Sequence, residues 1–507
     1  MLMSKSQGKF KRVVLSIVAI LLVLIGILGF GAWYYLFREV PVTFASDEEH
    51  FKYGSIGTEN QEGIPYWIWL VLPRLFADKL PRPGGYASLG VAWEEGKETP
   101  VGFTKKTIGF ERVGLSCAGC HSATYRTDPK EKPVILPTGP TNTFDIQAYL
   151  RFLAACAKDP RFNADTLLEE IYYHHKFSPV EGMLYRYVLI PQTKKALLKQ
   201  KEEFSWADFY FEAADDPKSP PRKVVRPRWG PGRIDPFNPV KYRVLKLPYD
   251  NTIGNSDMMP LWNRDAHAGH ALHWDGLESS LVETIRTGAI GDGASKKSID
   301  IKGLERVERF IKQQKPPPYP FTIDKEMAKR GEEVFQAQKC NTCHGPKGER
   351  TGKVIPVSEP ELNTDRHRLD MWTKEAADKY NAFAEGYSWD FNNLRKIVPE
   401  GYQAVLLDGL WLRAPYLHNG SVPTLRDLLN PADERPQSFH RGYDVFDPVK
   451  VGFKEPPPRP TGPNGELTQP YFLFDTREKG NGNQGHTYGT QLSNEDKERL
   501  VEYLKTL

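Results

Sequence analysis

The strongest hydrophobic signal in the chain is one uninterrupted apolar stretch near its N-terminus. Residues 13–37, VVLSIVAILLVLIGILGFGAWYYLF, carry no charge, and as a helix they exceed the roughly 20 residues that a bilayer core requires. Four basic residues and no acid precede the stretch: Lys5, Lys9, Lys11 and Arg12. The positive-inside rule therefore predicts a cytoplasmic tail over 1–12 and a transmembrane anchor over 13–37. A cleaved signal peptide is the alternative, but a cut after Ala32 would leave bulky Phe30 at the −3 position.

A second apolar stretch, IPYWIWLVLPRLF at 64–76, is too short and too interrupted by proline to span a membrane. It is typical of a helix that is buried or lies at an interface. Further along, GLERVERFIKQQK at 303–315 places Leu304, Val307 and Ile311 on one helical face.

Two more amphipathic helices are predicted in the last third of the chain. The first covers about 325–337, and Gly331 within it would let a neighbouring helix approach closely. The second follows Ser493 and Asp496, which predict a capping box. Its apolar stripe consists of Leu500, Val501, Leu504 and Leu507.

Composition narrows the possible partners. The 68 Lys+Arg against 64 Asp+Glu leave a net charge of +4, which is too small to indicate nucleic acid, and no long basic run is interleaved with aromatic residues. The 42 Gly and 41 Pro residues predict long irregular connections around helices of modest length.

Two short motifs carry the candidate chemistry. LSCAGCHSAT (115–124) and QKCNTCHGPK (338–347) each place two cysteines three positions apart, followed at once by a histidine. On one helical turn the two thiols can form thioethers to both vinyl groups of a porphyrin, and the imidazole can bind its iron. The sequence therefore predicts two covalently bound c-type haems, one on Cys117, Cys120 and His121 and the other on Cys340, Cys343 and His344.

A structural zinc site, a redox dithiol and a disulfide are the competing interpretations. Zinc requires four ligands close together, whereas the two pairs are 223 residues apart (340 − 117) and each has its own adjacent histidine. A thioredoxin-like dithiol requires a βαβ context, which neither flank offers. A disulfide between cysteines three apart is strained and uncommon. Cys156 has no partner and is interpreted as a buried thiol of no catalytic interest.

The motifs and helices together predict a mainly α fold with two cytochrome c-like haem domains, long irregular insertions and one N-terminal transmembrane helix. A helix, a CxxCH motif and a terminal amphipathic helix make up the cytochrome c arrangement. The proline-rich segment PPPYP at 316–320 predicts a stiff linker. We therefore expect an enlarged N-terminal haem domain over 45–320 and a C-terminal cytochrome c domain over 321–507.

Several segments resemble the exported dihaem cytochromes c, which include bacterial dihaem peroxidases and the rubber oxygenases. LHWDGLESSL (272–281) resembles the Trp-Asp-Gly segment of the first domain, and RAPYLHNGSVPTLRDLL (413–429) the Pro-Tyr-x-His-x-Gly segment of the second. RPQSFHRGYDVFDPVKVGF and GHTYGTQLS are closer to the rubber-oxygenase branch. The resemblance covers about two thirds of the chain beyond the anchor and is sparse between 125 and 250.

The resemblance implies roles for single residues. Trp274 would bridge the haems for electron transfer, His344 would be the proximal ligand of the second haem, and His486 its distal ligand. His418 is the rival for that distal position, because peroxidases share its motif. In peroxidases, however, a Met beyond the motif ligates this haem, and no Met follows residue 371 here.

The chain departs from the peroxidase pattern, which has a Gln and then a Glu at intervals of about ten after Trp-Asp-Gly. Counting on from Trp274 gives Thr284 and Ala294, although Glu283 and Asp292 lie nearby. Classical peroxidase activity is thereby put in doubt. The sixth position of the first haem has five candidates, and if none binds, that iron is open to O₂ or peroxide. They are Met258, Met259, His267, His270 and His273.

The sequence thus predicts a dihaem c-type cytochrome anchored in the inner membrane, with its bulk in the periplasm of a Gram-negative bacterium. It would transfer electrons and react with O₂ or peroxide at the first haem. The alternatives are a purely electron-carrying cytochrome and a classical dihaem peroxidase, so whether it is an enzyme stays open. The expected partners are the membrane and an electron donor or acceptor, either a protein or a quinol-linked complex, but no nucleic acid.

Overall fold

The structure is a computed structural model, and it describes residues 2–214, 216, 218–264, 269–387, 399–457, 460–461, 466–467 and 471–507. Helices of very different length run through the whole of this described part. They are α1 (Leu2–Leu36), α2 (Asp47–Tyr53), α3 (Tyr66–Leu75), α4 (Cys117–Cys120), α5 (Ile146–Lys158), α6 (Ala164–His174), α7 (Pro179–Leu184), α8 (Ile190–Glu203), α9 (Leu281–Gly291), α10 (Ile301–Gln313), α11 (Lys325–Ala337), α12 (Cys340–His344), α13 (His367–Asp370), α14 (Lys374–Glu385), α15 (Leu425–Leu428) and α16 (Asn494–Leu504).

Short strands lie between these helices and pair into small antiparallel sheets. β1, β3, β4 and β2 form a four-stranded sheet in that order, and the other strands form pairs. The strands are β1 (Glu39–Val40), β2 (Ile64–Pro65), β3 (Phe103–Ile108), β4 (Phe110–Leu115), β5 (Ser122–Tyr125), β6 (Val134–Pro137), β7 (Phe209–Glu212), β8 (Arg222–Val225), β9 (Arg233–Ile234), β10 (Ser256–Asp257), β11 (Val354–Pro356), β12 (Gly401–Gln403), β13 (Ser438–Arg441), β14 (Phe446–Asp447), β15 (Gly452–Phe453), β16 (Pro460–Thr461), β17 (Glu466–Leu467) and β18 (Phe472–Asp475).

The prediction of a mainly α fold is therefore wrong, because the described structure is a mixture of helices and many small sheets. The error has a physical cause. The Gly- and Pro-rich connections were interpreted as irregular, but many of them fold back as antiparallel ladders of two to six residues. Such strands are too short to show a clear alternation of apolar and polar side chains.

The amphipathic helices agree with their predicted positions. α11 covers 325–337 as expected, and α10 buries Leu304, Val307 and Ile311. Ser493 caps α16 by accepting a hydrogen bond from the Asp496 amide. The predicted stripe is buried at Leu500, Val501 and Leu504, with Leu507 packed at its edge.

The two apolar stretches differ in their surroundings. The short one becomes α3, whose Ile68, Trp69 and Leu72 are fully buried in the largest core. The long one belongs to α1, and its portion Val14–Leu36 is long and apolar enough to cross a membrane and is not buried against the rest of the protein. Cys156 is also in the largest core, with a free and fully buried thiol, as predicted.

The proposed domain boundary near 320 stays a prediction. PPPYP is an extended connection between α10 and α11. Residues from both sides of it share one apolar cluster, in which Trp262 packs with Leu410, Trp411 and Phe446. The two halves thus contribute to a common core.

The α11–α16 crossing yields a stability prediction. An added Cβ at Gly331 would fall 1.9 Å from the Arg499 carbonyl oxygen, so Gly331→Ala forces the helices apart. We expect the free energy of unfolding to fall by about 2 kcal/mol in a denaturant titration, the usual scale of overpacking. The matched control on α11 is Glu333→Ala at an exposed position, which should change stability by less than about 0.5 kcal/mol. Equal stability of the two variants would contradict the close crossing.

Candidate haem sites

The first CxxCH motif begins where a β-hairpin ends. β3 and β4 pair from Ile108↔Phe110 at the turn to Phe103↔Leu115 at the far end, and the motif helix α4 starts two residues later. An added Cβ at Gly102 would fall 2.1 Å from Gly119 inside the motif. The motif therefore packs directly on the hairpin backbone, at a contact that only glycine permits.

The imidazole of the first motif is oriented by a distant carbonyl. His121 Nδ1 lies 2.9 Å from the carbonyl oxygen of Met259, 138 residues along the chain. This bond makes Nδ1 the protonated nitrogen and leaves Nε2 as the one that can bind a metal. Burial lowers the pKa of His121 to about 4, which keeps the ring neutral, as a metal ligand must be.

Cys117, Cys120 and His121 all line one internal cavity of about 290 Å³. His273, Trp274 and Glu278 line the same cavity. The three motif side chains thus face a shared space with an apolar and partly charged lining, which fits a porphyrin attached at the two thiols.

The second motif repeats the arrangement of the first imidazole. It forms α12 directly after α11, and His344 Nδ1 lies 2.7 Å from the carbonyl oxygen of Val405. Val405 follows β12, so this strand positions the ring. Burial lowers the pKa of His344 and again favours the neutral, metal-binding form.

His486 faces His344 across a gap. The two ring centroids are 6.2 Å apart, and the rings are tilted by 41°. Two metal–nitrogen bonds of about 2.0 Å, plus about 1.1 Å from each nitrogen to its ring centre, would add to about 6.2 Å. The spacing therefore fits one iron between the rings. His486 Nδ1 is buried without a hydrogen-bond partner in the described structure, and burial lowers the pKa of the ring to about 3.

The loop that carries His486 is held by a buried arginine. Arg435 donates to the carbonyl oxygens of Asn483 (2.6 Å), Gly485 (2.8 Å) and His486 (3.3 Å). The His486 amide donates to the Leu362 carbonyl at 2.9 Å. These bonds hold His486 in a left-handed conformation, with φ at 48°.

His418, the rival distal ligand, is occupied elsewhere. Its Nε2 lies 2.9 Å from the Tyr402 hydroxyl, and the two rings stack with centroids 3.9 Å apart. Tyr402 donates its only proton to the Asp365 carbonyl at 2.8 Å, so His418 Nε2 is the donor to Tyr402. The nitrogen that would bind iron therefore carries a proton, which weakens the case for His418.

Trp274 lies between the two motifs. Its ring lines the first cavity, and its Nε1 donates to the Asp257 carbonyl at 2.7 Å. Its own carbonyl accepts a hydrogen bond from the Gln403 amide at 2.7 Å, two residues before Val405, which orients His344. This position suits the bridging role that the resemblance implies for Trp274, and that role stays a prediction.

The candidates for the sixth position of the first iron separate into groups. Met258, Met259 and His273 line the first cavity, and His273 Nε2 is 3.2 Å from Glu278 Oε2. His270 instead packs on Gly352, in the loop after the second motif. His267 lies outside the described residues. Nothing in this geometry selects one ligand, so the open or closed state of the first iron stays a prediction.

Of the two carboxyl groups that the sequence placed near the first haem, Glu283 and Asp292, only one lines the first cavity. Asp292 lines the first cavity, and burial raises its pKa to about 7, while the buried Glu283 is not part of the cavity wall. Glu278, which the sequence did not single out, is fully buried on that wall and accepts a hydrogen bond from Thr284. Two arginines missed by the sequence also line the cavity: Arg264 and Arg368.

The competing interpretations of the cysteines are a disulfide, a reactive dithiol and a zinc site. All five thiols are free, and burial raises the pKa of Cys117 to about 12 and of Cys340 to about 11. Thiols with pKa values this high are almost wholly neutral near pH 7, and the neutral thiol is a poor nucleophile. Over the described ranges, no group of three or more His, Cys, Asp or Glu side chains is arranged to hold a metal ion.

A family model described as "RoxA-like, cytochrome c-like" matches residues 401–440. The matched segment includes β12, Val405, His418 and Arg435. This segment of the chain is therefore similar to part of a cytochrome c-like domain, a class of domain that binds c-type haem.

Two curated relatives from Sinorhizobium fredii align with parts of the chain. The uncharacterized protein y4iM is 29% identical over 294 residues, which are 50% of this chain and 64% of that relative. The uncharacterized protein y4iJ is 42% identical over 119 residues, which are 22% of this chain and 18% of that relative. The chain thus covers less than two thirds of the length of each relative.

The facing rings of His344 and His486 give a spectroscopic prediction. His486→Ala should convert one low-spin ferric haem to a high-spin form that binds cyanide, because a strong-field nitrogen ligand is lost. Electron paramagnetic resonance and a cyanide titration would measure the change. His418→Gln is the control and should leave the low-spin signal intact. Loss of that signal in the His418 variant alone would reverse the assignment.

Proposed function

We propose that this protein is a membrane-anchored, periplasmic dihaem c-type cytochrome that transfers electrons and reacts with O₂ or peroxide at its first haem. The similarity of residues 401–440 to a cytochrome c-like domain supports the haem-binding redox role. The number of haems, the location and the reactivity are the proposal. The apolar portion of α1, Val14–Leu36, supports the anchor by its length and composition.

The observation that carries the proposal is a difference between the two motif histidines. His344 has a second imidazole at the spacing of an iron sandwiched between two rings. His121 instead lines a cavity of about 290 Å³. A c-type haem at each motif would supply an iron that carries one electron and that binds O₂ or peroxide wherever one coordination position is open.

The chain's own groups would serve each site differently. At the first site, Cys117 and Cys120 would anchor the ring, and Met259 would fix the tautomer of His121. The guanidinium groups of Arg264 and Arg368 would offer positive charge to the propionate groups of a haem bound there. At the second site, the Arg435 clamp would keep His486 in place as the distal ligand and so favour electron transfer over ligand binding.

The polar wall of the first cavity suits bound oxygen species. The Glu278 carboxylate is fixed by Thr284 and lies beside His273, and Asp292 lines the same cavity. Such groups can accept or donate a proton at a reacting oxygen. This supports reactivity at the first site.

A pure electron carrier is the second candidate function. The observation in its favour is that His273, Met258 and Met259 line the same cavity. If any one of them were the sixth ligand, the first iron would have no free coordination position and could only transfer electrons.

The number and type of the irons can be measured directly. The intact mass of the native protein should exceed that of the polypeptide by two haems, and ferric spectra should show one low-spin and one cyanide-binding high-spin iron. Cys117→Ala together with Cys120→Ala should remove one haem and the high-spin signal, because the thioether anchors are lost. Cys156→Ala should keep both haems, since that thiol is buried in the α3 core. Two low-spin irons that do not bind cyanide would contradict the reaction with O₂ or peroxide and leave the electron carrier as the function. A native mass equal to that of the polypeptide alone would contradict the proposal as a whole.

The bridging role of Trp274 can be tested by kinetics. Trp274→Leu should slow electron exchange between the haems by about tenfold or more, while the haem content and the two spin states stay unchanged. Flash photolysis of the carbon monoxide-bound, half-reduced protein measures this exchange. Trp274→Phe keeps an aromatic ring and should lie between the wild type and the Leu variant. An unchanged rate in the Leu variant would remove Trp274 from the path.

A further inference from the structure

A second cavity, of about 280 Å³ and partly open to the surface at α8, adjoins the first haem cavity. We call it the apolar chamber. Most of its wall is apolar and includes Phe110, Leu153, Leu197 and Trp229. Polar groups such as Gln192 and Thr193 and the charged side chains of Glu62, Arg112, Arg243 and Asp292 make up the rest of the lining. An apolar wall with few polar side chains is typical of sites for small organic ligands.

The inner end of the apolar chamber meets the first haem site. Ile234, Pro239, Gly291 and Asp292 line both the chamber and the cavity that holds the first motif. A molecule in the chamber would therefore lie next to the space assigned to the first haem, with the Asp292 carboxyl at the junction.

The outer end of the chamber lies beside the end of the apolar helix α1. Phe110 lines the chamber and follows Gly109 at the β3–β4 turn. An added Cβ at Gly109 would fall 2.3 Å from the Leu36 carbonyl carbon, and the Gly109 amide donates to the Arg38 carbonyl at 2.8 Å. The hairpin tip thus touches the last turn of α1, which places this end of the chamber near the surface of a membrane spanned by α1.

We propose that the apolar chamber binds a lipid-soluble hydroquinone, which enters from the membrane and is oxidised beside the first haem. The inference rests on the proposed membrane anchor and haems, and it names the electron donor. A hydroquinone combines an apolar ring and tail with two hydroxyl groups, which the apolar wall and side chains such as Gln192 and Thr193 would accommodate.

The reaction balances with two ferric haems as the oxidant. The hydroquinone would lose both O–H protons and two electrons and become the quinone, and ferric c-type haems held by Cys117, Cys120 and His121 and by Cys340, Cys343 and His344 would accept one electron each. Asp292 is positioned to take a proton, and burial raises its pKa to about 7, so both of its forms exist near neutral pH.

A chain of charged side chains leads from the junction toward solvent. Glu62 lies beside Gly293, where an added Cβ would fall 2.4 Å from Glu62 Cγ. Arg243 joins Glu62 (2.5 Å) to the partly exposed Glu203 (3.3 Å). The carboxylates of Glu62 and Glu203 offer the released protons acceptors on the way to the surface, and the Arg243 guanidinium, which stays protonated, holds the two together.

The test uses the full-length haem-loaded protein in lipid nanodiscs. Under anaerobic conditions, a decyl-substituted benzohydroquinone should reduce both haems of the wild type in stopped-flow mixing. Ala196→Trp fills the chamber from an exposed position on α8 and should slow this reduction by at least about tenfold. Lys195→Trp, also exposed on α8 but outside the chamber, should react like the wild type. Dithionite should reduce all three proteins equally.

A second readout does not depend on redox chemistry. An azido-substituted benzoquinone with the same tail should crosslink to chamber residues on α8 after illumination, and Ala196→Trp should abolish this labelling. Peptide mass spectrometry would locate the crosslinks.

The outcomes separate this inference from the proposed function. If both haems are present and dithionite reduces them, but the hydroquinone does not, the inference is overturned while the dihaem cytochrome stands. It is also overturned if Ala196→Trp is reduced as fast as the wild type, or if a co-purified phospholipid fills the chamber and the probe does not displace it. If the haem spectrum is missing, the proposed function fails and the inference fails with it.

Discussion

Both candidate haem sites depend on a hydrogen bond between the imidazole of the motif histidine and a distant backbone carbonyl. A CxxCH motif puts two thiols and a ring on one short turn, but it does not decide which ring nitrogen faces a metal. The Met259 and Val405 carbonyls make that choice for His121 and His344. In both cases a segment far along the chain must pack against the motif. Local chemistry and the tertiary fold are therefore coupled at each site.

The same local motif serves two different surroundings. Around His344, the loop clamped by Arg435 brings in a second imidazole at a spacing that fits an intervening iron. Around His121, the corresponding space is a cavity with Glu278, His273 and Asp292 on its wall. Axial ligation and cavity polarity are the features by which a protein directs a haem toward electron transfer or toward ligand chemistry. The contrast is the structural basis for proposing different roles for the two sites.

The hairpin β3–β4 connects the proposed membrane end of the molecule with the first site. Its turn touches the end of α1 through Gly109, and its other end leads into the Cys117–His121 motif. Two glycines, Gly109 and Gly102, allow these close backbone contacts. The first site is thus placed at a fixed distance from the apolar helix, and the apolar chamber runs alongside the same hairpin.

The sequence by itself determined the features that depend on local spacing. The two motifs, the positions of α10, α11 and α16, the close approach at Gly331 and the long apolar stretch all follow from residues within a few helical turns of one another. The short strands could not be foreseen, since ladders of two to six residues carry too little alternation, and this led to the wrong fold class. Only the tertiary structure set His486 opposite His344, engaged His418 with Tyr402, and brought Glu278 and Asp292 to one cavity, because these pairings join segments far apart in the chain. The carbonyls of Met259 and Val405 could not be identified from the sequence either, because a backbone carbonyl is present at every residue and does not depend on the side chain.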